Sequence, residues 1–459
     1  MRSQVHTTLP CAPANVDVLI IGGGPAASSL AIRLKQNTML SVSIVEQTDF
    51  DSPRVGESLP PNAVHFLEEL GVDVTSHSLI TLGVRCRWAS HKDEVNDFLL
   101  SSLGYGYSVT RNEFDRLLAR HAQSVGANLL TNTKYLGSTA IQPVRRSGFH
   151  WLTELQHRSG ESHSVRSKFI VDATGRNAVV ARSMNSKKIH MDRLIGIYQQ
   201  FDGPSVTQNM LSLEAHQLGW WYATLTPESK YIVALMTDSD IAHSHQLNHP
   251  DSLAQLSGTF GLNRRANLGP PKSTHFYPAS SFRLDKMAGL NWLAIGDAAF
   301  SIDPLSSQGI LRALQMGREA GDAIPHHLQG NATAIPDFAK KQMANFHQQI
   351  TIKNRFYEIN PRWPGAKFWR RRQAAKRILP QTILKCDFAT AEVSESTALL
   401  ANPKFPNDLL RELCSLCQCK RPAVDLLRDF RSKNNNVYSD SHLLAATRHL
   451  IDFGIVTTA

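Results

Sequence analysis

An apolar strand that runs directly into a glycine-rich loop constrains this chain more than any other feature. The strand occupies residues 16–21, and the loop Gly22-x-Gly24-x-x-Ala27 follows it. Glycines let the backbone turn sharply and approach a pyrophosphate, which binds at the N-terminus of the next helix. A second apolar strand ends at Glu46, about twenty residues after Gly24, where an acid accepts hydrogen bonds from a ribose diol. We therefore predict a Rossmann-like dinucleotide-binding unit, with cofactor contacts from Gly22, Gly24, Pro25, Ala26, Ala27 and Glu46.

A second motif, far along the chain, indicates which dinucleotide is bound. Residues 290–296 form a predicted strand, and Asp297 lies where this strand ends and before a long predicted helix. The segment 296–310 resembles the para-hydroxybenzoate-hydroxylase-like family of FAD monooxygenases, halogenases and prenyl reductases. The resemblance implies that FAD is the cofactor and that Asp297 meets its ribityl chain. It also implies that the isoalloxazine ring faces Pro304, Gln308, Gly309 and Ile310.

Three further segments fit the same family. Residues 169–176 resemble a middle motif, in which a strand ends in a tight turn near the cofactor. Arg111 resembles an arginine that begins a helix and reaches the FAD, although a solvated helix start is an alternative explanation. The segment 56–61, Gly-Glu-Ser-Leu-Pro-Pro, is expected near the cofactor, with Arg54 and Ser58 as contacts.

The family resemblance implies an α/β fold in three parts. A Rossmann-like FAD-binding domain is interleaved with an antiparallel-sheet substrate domain, and a helical C-terminal region follows. Alternating apolar and polar residues at 219–225 and 230–236 indicate antiparallel strands. The predicted boundaries are 1–185 and 282–335 for the FAD domain, interrupted at about 77–104, then 186–281 for the substrate-side sheet, 336–401 for a helical segment and 402–459 for a small helical module. This last module looks like a winged helix, and a helical cap on the catalytic body is the alternative.

The sequence also limits how the flavin is reduced. No second glycine-rich loop of this kind follows a later strand, so no separate nicotinamide domain is predicted. We expect NAD(P)H that binds transiently, or another external electron donor, to reduce the FAD. The family resemblance implies that reduced FAD forms a C4a-hydroperoxide with oxygen, and that the protein places a substrate carbon beside it.

Halogenation is one reaction that the resemblance allows, because segments 56–61 and 303–309 both look like halogenase segments. Two departures count against it. Tryptophan halogenases carry a lysine shortly after the first segment, and this chain has no lysine between Lys35 and Lys92. The glutamate that follows their Asp-Pro-Leu sequence is Ser306 here. These departures disfavour a halogenase.

The same two segments also resemble the LodB/GoxB-like flavoproteins and their relative QhpG. Those proteins oxygenate a tryptophan of a precursor protein on the way to a cysteine tryptophylquinone cofactor. The resemblance implies an FAD-dependent monooxygenase that hydroxylates a tryptophan side chain in a partner precursor protein. Two alternatives remain: an FAD monooxygenase or halogenase that acts on a free aromatic small molecule, and a flavin-containing assembly factor without turnover.

Few residues qualify as catalytic groups, because attack on an electron-rich indole needs little acid–base assistance. Glu57, Ser306 and Gln308 are the candidates near the flavin, although Glu57 could instead cap a turn. Trp220 and Trp221 are candidates for lining the substrate cavity. Because side chains alternate along a strand, one of these two tryptophans is expected to face the other side of its sheet.

The charge of the chain suggests possible partners. Its 459 residues carry a formal net charge of +10. Part of this charge lies in the run 361–377, where Arg370, Arg371 and Arg372 follow two tryptophans and a phenylalanine. A solvated helix face and a docking surface for an acidic partner both explain such a run. Nothing else in the sequence supports nucleic acid as a partner.

The cysteines and the hydropathy pattern lead to three further expectations. Cys414-x-x-Cys417-x-Cys419 lacks the additional ligands of a zinc site, so we predict no metal and expect these cysteines to act as small apolar residues of a helix. No apolar run approaches the roughly 20 residues of a spanning helix, so no membrane span is predicted. In the absence of a secretory signal, we expect a cytoplasmic protein.

Overall fold

A computed structural model describes residues 13–100, 102–141, 150–203, 209–249, 269–373, 381–386, 405–434, 437–452 and 455–458, together with isolated residues at 148, 252–253, 256, 261, 378 and 393. The strands are β1 (Asn15–Ile21), β2 (Val42–Val45), β3 (Ser58–Leu59), β4 (Ser78–Thr81), β5 (Gly83–Arg87), β6 (Glu94–Asp97), β7 (Gly106–Val109), β8 (Asn128–Leu130), β9 (Thr133–Ala140), β10 (Trp151–His157), β11 (Ser162–Asp172), β12 (Lys188–His190), β13 (Leu194–Asp202), β14 (Leu211–His216), β15 (Gly219–Leu225), β16 (Lys230–Asp238), β17 (Ser273–Pro278), β18 (Phe282–Leu284), β19 (Ala288–Gly289), β20 (Trp292–Ala294), β21 (Phe300–Ser301), β22 (Ile383–Lys385), β23 (Arg421–Pro422) and β24 (Thr457–Thr458). The α-helices are α1 (Pro25–Asn37), α2 (Pro61–Glu69), α3 (Arg111–Ser124), α4 (Val179–Ser183), α5 (Ser239–Ser244), α6 (Gly309–Leu328), α7 (Ala334–Glu358), α8 (Lys367–Gln373), α9 (Asn407–Cys417), α10 (Ala423–Lys433) and α11 (Asp440–Asp452).

The first sheet has the strand order β19-β20-β11-β1-β2-β8. Strand β1 pairs in parallel with β11 on one side and with β2 on the other, so the carboxyl ends of these strands meet at one edge. Ligands of open α/β sheets bind at such an edge. Helices α1 and α6 pack closely, because Gly317 has no side chain: a Cβ there would lie 2.3 Å from the Ala26 carbonyl oxygen. The predicted Rossmann-like domain is confirmed.

The second sheet has the order β17-β13-β16-β15-β14-β5-β6. Its described pairs are antiparallel except for β14 with β5. Strands β5 and β6 belong to the segment 77–104, so this excursion contributes two strands to the second sheet. Because β15 is central and covered on both faces, its residues are almost all buried. The interleaved α/β architecture is therefore as predicted.

Helices α7 and α8 lead from the FAD domain to a separate C-terminal unit. In this unit, α9, α10 and α11 pack around an apolar core, and β22, β23 and β24 form a small antiparallel sheet. The unit is helical, as the sequence predicts for residues 402–459. Strand β22 lies before residue 402 and pairs with both later strands, so the unit also uses an earlier piece of chain.

The cysteines of this unit lie in its interior. Cys386, Cys414 and Cys417 are buried in the apolar core, and burial raises the pKa of the Cys417 thiol to about 12. Cys419 is exposed, and Cys11 falls outside the described residues. In the ranges that the structure describes, no helix has the length and apolar character that crossing a membrane requires.

Candidate functional site

One cavity of about 530 Å³ lies between the carboxyl edge of the first sheet and the face of the second sheet. It gathers residues from all of the predicted motifs. The predicted site residues that line it are Gly22, Gly24, Pro25, Ala26, Glu46, Arg54, Glu57, Ser58, Arg111, Trp220, Asp297, Pro304, Ser306, Gln308, Gly309 and Ile310. Ala27 and Trp221 are not among its lining residues.

The glycine loop has the shape that a pyrophosphate requires. Gly22 has a φ of +104°, and a Cβ there would lie 2.2 Å from the Ala173 carbonyl oxygen, so only glycine fits. A Cβ built at Gly24 meets no heavy atom within 4 Å, because this residue faces the cavity. Helix α1 starts at Pro25 without a side-chain cap, which leaves its first N–H groups available for an anion. Ala27 is fully buried in α1, so it serves packing and not cofactor contact.

Glu46 stands at the end of β2 beside this loop. One of its oxygens, Oε2, accepts a hydrogen bond from Gly23 N–H at 2.8 Å. The other, Oε1, accepts from Arg54 Nη2 at 3.2 Å and from Thr48. The side chain is thus fixed at the position where the family places the ribose.

Two arginines are held beside Glu46 by a buried acid that the sequence analysis did not single out. Asp115 is fully buried and pairs with Arg54 at 2.7 Å and with Arg111 at 3.1 Å. Arg111 also donates to the Val55 carbonyl oxygen. Burial acts to lower the pKa of Arg111, but the Asp115 carboxylate outweighs it and the pKa is raised. The solvated-helix explanation of Arg111 is therefore wrong, and its i, i+4 spacing to Asp115 was the signal available in the sequence.

Asp297 lies in a tight turn, Gly296–Ala298, that packs against the first motif. Gly296 has a φ of +60°, and a Cβ there would lie 2.9 Å from the Ala26 Cβ. Arg312 of helix α6 donates to Asp297 Oδ1 at 3.2 Å and lines the cavity. Arg312 was also missed, although it lies only three residues after Gly309 in the first turn of that helix.

The segment after Asp297 forms the far wall of the cavity. Asp303 accepts the Leu305 N–H and so fixes a single turn at Pro304–Ser306. Helix α6 then begins at Gly309, again without a side-chain cap, and a Cβ at Gly309 meets no atom within 4 Å. Ser306 and Gln308 face the cavity here, so the structure brings these two candidates together.

The second sheet closes the cavity with an aromatic face. It is formed by Tyr198, Trp220, Tyr222 and Tyr277, from strands β13, β15 and β17. Trp221 points to the opposite side of the sheet, into a core with Phe201 and Leu235. Including Trp221 among the substrate-lining residues was therefore wrong, and the alternation along β15 is the physical reason.

A buried hydrogen-bond chain connects the aromatic face to the far wall. Trp220 Nε1 donates to the Tyr357 hydroxyl at 2.9 Å, and that hydroxyl donates to Asp303 Oδ2 at 2.5 Å. Tyr357 belongs to helix α7 and is fully buried. Burial raises the pKa of both Asp303 and Tyr357. This chain fixes the distance between the two sides of the cavity.

Glu57 lies beneath the aromatic face with 6% of its surface exposed. Its Oε2 accepts a hydrogen bond from the Tyr222 hydroxyl at 2.9 Å. Burial raises the pKa of the Glu57 carboxyl, against the opposing effects of Tyr222 and the Arg111 cation. The backbone carbonyl of Glu57 accepts from Val109 N–H. The carboxylate lines the cavity and also interacts with the backbone N–H groups of Gly56 and Glu57, which act to lower its pKa, so the side chain supports its own turn as well.

Within the described residues 361–373 of the basic run, two of the three consecutive arginines form ion pairs with the second sheet. Arg371 pairs with Asp238 and Asp240, and Arg372 pairs with Asp238 at 2.7 Å. Arg372 also lies over the Phe368 ring at 3.6 Å. Arg370 is exposed, whereas Lys376 and Arg377 fall outside the described residues. Arg371 and Arg372 thus hold α8 on the second sheet, and docking of a partner by this run stays a hypothesis.

The residues present fit FAD. The open space above Gly24, the uncapped start of α1 and the acid at Glu46 suit a dinucleotide, and Asp297 stands at the junction of the two motifs. Arg54, Arg111 and Arg312 would bring positive charge to its phosphates and to the reduced ring. Among the described residues, no group of histidine, cysteine and acidic side chains is arranged to hold a metal ion.

Comparison with known proteins agrees with this assignment. The profile of the FAD binding domain family matches residues 15–349. A protein of Marinomonas mediterranea, named as the FAD-dependent oxidoreductase LodB, is 25% identical over 78% of this chain and 97% of its own length. The myxobacterial chondrochloren halogenase CndH matches in structure with a TM-score of 0.71, 18% identity and coverage of 96% and 98% of the two chains. The peptidyl tryptophan dihydroxylase QhpG, described as essential for tryptophylquinone cofactor biogenesis, matches with a TM-score of 0.62, 17% identity and coverage of 78% and 79%.

Proposed function

This chain belongs to the FAD binding domain family, and from that premise we propose that it is an FAD-dependent monooxygenase which hydroxylates a tryptophan side chain in a partner precursor protein. The observation that carries the proposal is the aromatic face of Tyr198, Trp220, Tyr222 and Tyr277 opposite the predicted flavin wall. Such a face packs on an electron-rich aromatic ring. The likeness to LodB, which spans nearly all of that protein, and the fold shared with QhpG support a tryptophan of a protein as the source of this ring.

The residues of the chain would bind and orient the reactants. Gly24 and the start of α1 would hold the pyrophosphate, and Asp297 would hold the ribityl chain. The fixed pair of walls, joined through Tyr357, would exclude water and hold the substrate ring beside the flavin wall. Ser306 and Gln308 are the polar groups at that wall.

Bound FAD, once reduced by NAD(P)H or another external donor, would supply the activation of molecular oxygen. Each hydroxylation consumes one O₂, two electrons and two protons. One oxygen atom enters a C–H bond of the ring and the other leaves as water. The balance requires no metal and no further cofactor.

Halogenation is the second candidate, and the fold shared with CndH favours it. The halogenase resemblance calls for a lysine near the substrate. In the part of the chain that the structure describes, the cavity contains Lys134, and this residue lies beside Thr133, whose N–H donates to the Glu46 carbonyl. Lys134 is therefore at the Glu46 end of the cavity and not at the aromatic face, so hydroxylation is the better supported reaction.

The proposal is tested by intact mass spectrometry of proteins that co-purify with the enzyme from its native host. We expect a partner that carries one or two added oxygen atoms, and we expect these atoms to be missing in a strain that produces only Gly24→Val. A partner that gains halogen in place of oxygen would establish the second candidate. An oxygenated partner in the Gly24→Val strain would show that maturation needs no flavin, and the proposal would be wrong.

A further inference from the structure

Glu57 is the point on which the aromatic face converges. The Tyr222 hydroxyl donates directly to its carboxylate at 2.9 Å. Burial and the nearby Glu57 charge together raise the pKa of Tyr198 and of Tyr277. The carboxylate thus lies among three tyrosines of the substrate-side sheet.

The backbone around Glu57 is fixed on both sides. Gly56 has a φ of +102°, and a Cβ there would lie 2.9 Å from Arg111 Nη1. Arg111 donates to the Val55 carbonyl oxygen, and Val109 N–H donates to the Glu57 carbonyl oxygen at 2.7 Å. These contacts direct the side chain into the cavity before any ligand arrives. An acceptor that is positioned in advance loses little entropy on binding.

The carboxylate can accept more than the bond from Tyr222. A carboxylate has lone pairs for about four hydrogen bonds. An acceptor buried in an apolar site is stabilised by a ligand that donates to it and is penalised by a ligand of the same shape that cannot. A planar aromatic ring packed against Tyr198 and Tyr222 would bring its edge, and any N–H on that edge, to Glu57.

We propose that Glu57 is a specificity-determining residue that accepts a hydrogen bond from the ring N–H of the substrate indole. The inference rests on the proposed function and adds how its site recognises the ring. The Tyr222 hydroxyl donates to the same carboxylate, and the backbone contacts at Gly56 and Val109 hold Glu57 in place without it. The site should therefore discriminate between an indole and an N-methylated indole, although the two rings have nearly the same shape and electron density.

The test uses the FAD-loaded, oxidised, full-length protein and two probes, N-acetyltryptophanamide and its 1-methylindole counterpart. Binding is followed by the change in flavin absorbance. We expect the N–H probe to bind about tenfold or more tightly than the methylated probe, as a charged hydrogen bond predicts. In Glu57→Gln this preference should fall to about threefold or less, with the affinity for the methylated probe little changed. Glu94→Gln, which replaces an exposed acid in strand β6 of the second sheet, is the matched control. It should keep the wild-type preference for the N–H probe.

A second variant covers the case in which Glu57→Gln fails to fold or to hold FAD. Tyr222→Phe removes the donor to Glu57 but leaves the carboxylate, so the preference for the N–H probe should persist. Equal affinity for both probes in the wild-type protein, binding of neither probe, or loss of the preference in Tyr222→Phe would each overturn the assignment of Glu57.

The outcomes also separate this inference from the proposed function. A partner protein that gains oxygen from an enzyme without N–H preference would overturn the role of Glu57 and leave the proposed function standing. An N–H preference without any oxygenated partner would overturn the protein substrate and support recognition of an N–H-bearing ring on a free molecule.

Discussion

Single residues at the cavity fall into two groups, those that shape the backbone and those that carry charge. Gly22 and Gly24 belong to the first group. Gly22 has no room for a side chain, whereas Gly24 faces the open cavity. Asp115 shows the second group, since it is fully buried and holds two arginines at the cavity wall. Because these roles differ, substitutions at such positions should affect cofactor binding and folding to different extents.

Gly24→Val should remove FAD without unfolding the protein. A side chain at this position meets no protein atom and would occupy the space that the pyrophosphate needs. The flavin absorbance of the purified protein should fall by about tenfold or more, with the far-ultraviolet circular dichroism unchanged. Gly365→Val is the matched control, because a Cβ at Gly365 also meets nothing within 4 Å. Normal FAD content in Gly24→Val would contradict the position assigned to the pyrophosphate.

Asp115→Asn should both destabilise the protein and weaken FAD binding. The substitution removes the ion-pair partner of the partly buried Arg111 and leaves Arg54 paired only with Glu46, which costs about 3 kcal/mol or more in such pairs. Thermal unfolding of the FAD-free protein measures the first effect, and titration with FAD measures the second. Glu113→Gln, an exposed acid on the same helix, should change neither quantity. If Asp115→Asn and Glu113→Gln had the same unfolding temperature and the same affinity for FAD, Asp115 would not be what holds Arg54 and Arg111 in place.

At the scale of elements, short helices and sheets are held by a few specific contacts. Helix α8 is the clearest example: Phe368 and Trp369 are fully buried, and Arg372 reaches Asp238 at the end of strand β16. Residues 370–372 therefore look like a charged surface in the sequence. In the fold, Arg371 and Arg372 attach helix α8 to strand β16. The cationic side chains of this run have unequal roles, because a helix of this length points neighbouring residues in different directions.

Arg372→Ala should destabilise the protein by about 2 kcal/mol, because Asp238 is buried and would keep only its contact with Arg371. Loss of the contact with the Phe368 ring adds to this cost. Urea unfolding measures the change in the free energy of unfolding. Arg370→Ala in the same run should stay within about 0.5 kcal/mol of the wild type. If Arg370→Ala lowered the free energy of unfolding more than Arg372→Ala does, then Arg370 and not Arg372 would be the residue that attaches helix α8.

The whole molecule is organised around one cavity with walls from different layers. The first sheet supplies the phosphate side, the second sheet supplies the aromatic face, and Tyr357 of α7 connects the second sheet to the wall at Asp303. The C-terminal unit has its own core and contacts α7 through Arg448 and Glu358. It thus adjoins the helix that supports the cavity. Stability of such an assembly depends on buried groups from several layers.

Acid should destabilise the whole molecule through two half-buried histidines, His216 and His347. Burial, with Arg362 nearby, lowers the pKa of His216 to about 4, and burial with Arg283 nearby lowers that of His347 to about 3. Below the unfolded value of about 6.5, the unfolded chain binds protons that the folded protein does not. Each histidine then lowers the free energy of unfolding by up to about 1.4 kcal/mol per pH unit as the pH falls from 6.5 toward the folded pKa.

The check is chemical unfolding at pH 7.5 and at pH 5. His216→Gln should reduce the loss of stability between these two values, because a glutamine does not titrate. His243→Gln, at an exposed histidine, should leave the loss unchanged. The same loss in His216→Gln as in the wild type would show that His216 does not contribute to the acid sensitivity.

The sequence by itself determined the dinucleotide loop, the acid at Glu46, the turn at Asp297 and the interleaved α/β plan, because each follows from local spacing and from the requirement for glycine. The helices of the C-terminal unit were also predictable, since their apolar periodicity is local. Only the tertiary structure decided which side of β15 faces the cavity, because alternation divides Trp220 from Trp221 but does not say which is inside. It also decided that Arg371 and Arg372 are anchors and that Asp115, Tyr222 and Tyr357 belong to the site, because most of their partners lie 54 to 165 residues away along the chain. Contacts between layers are created only when the layers pack.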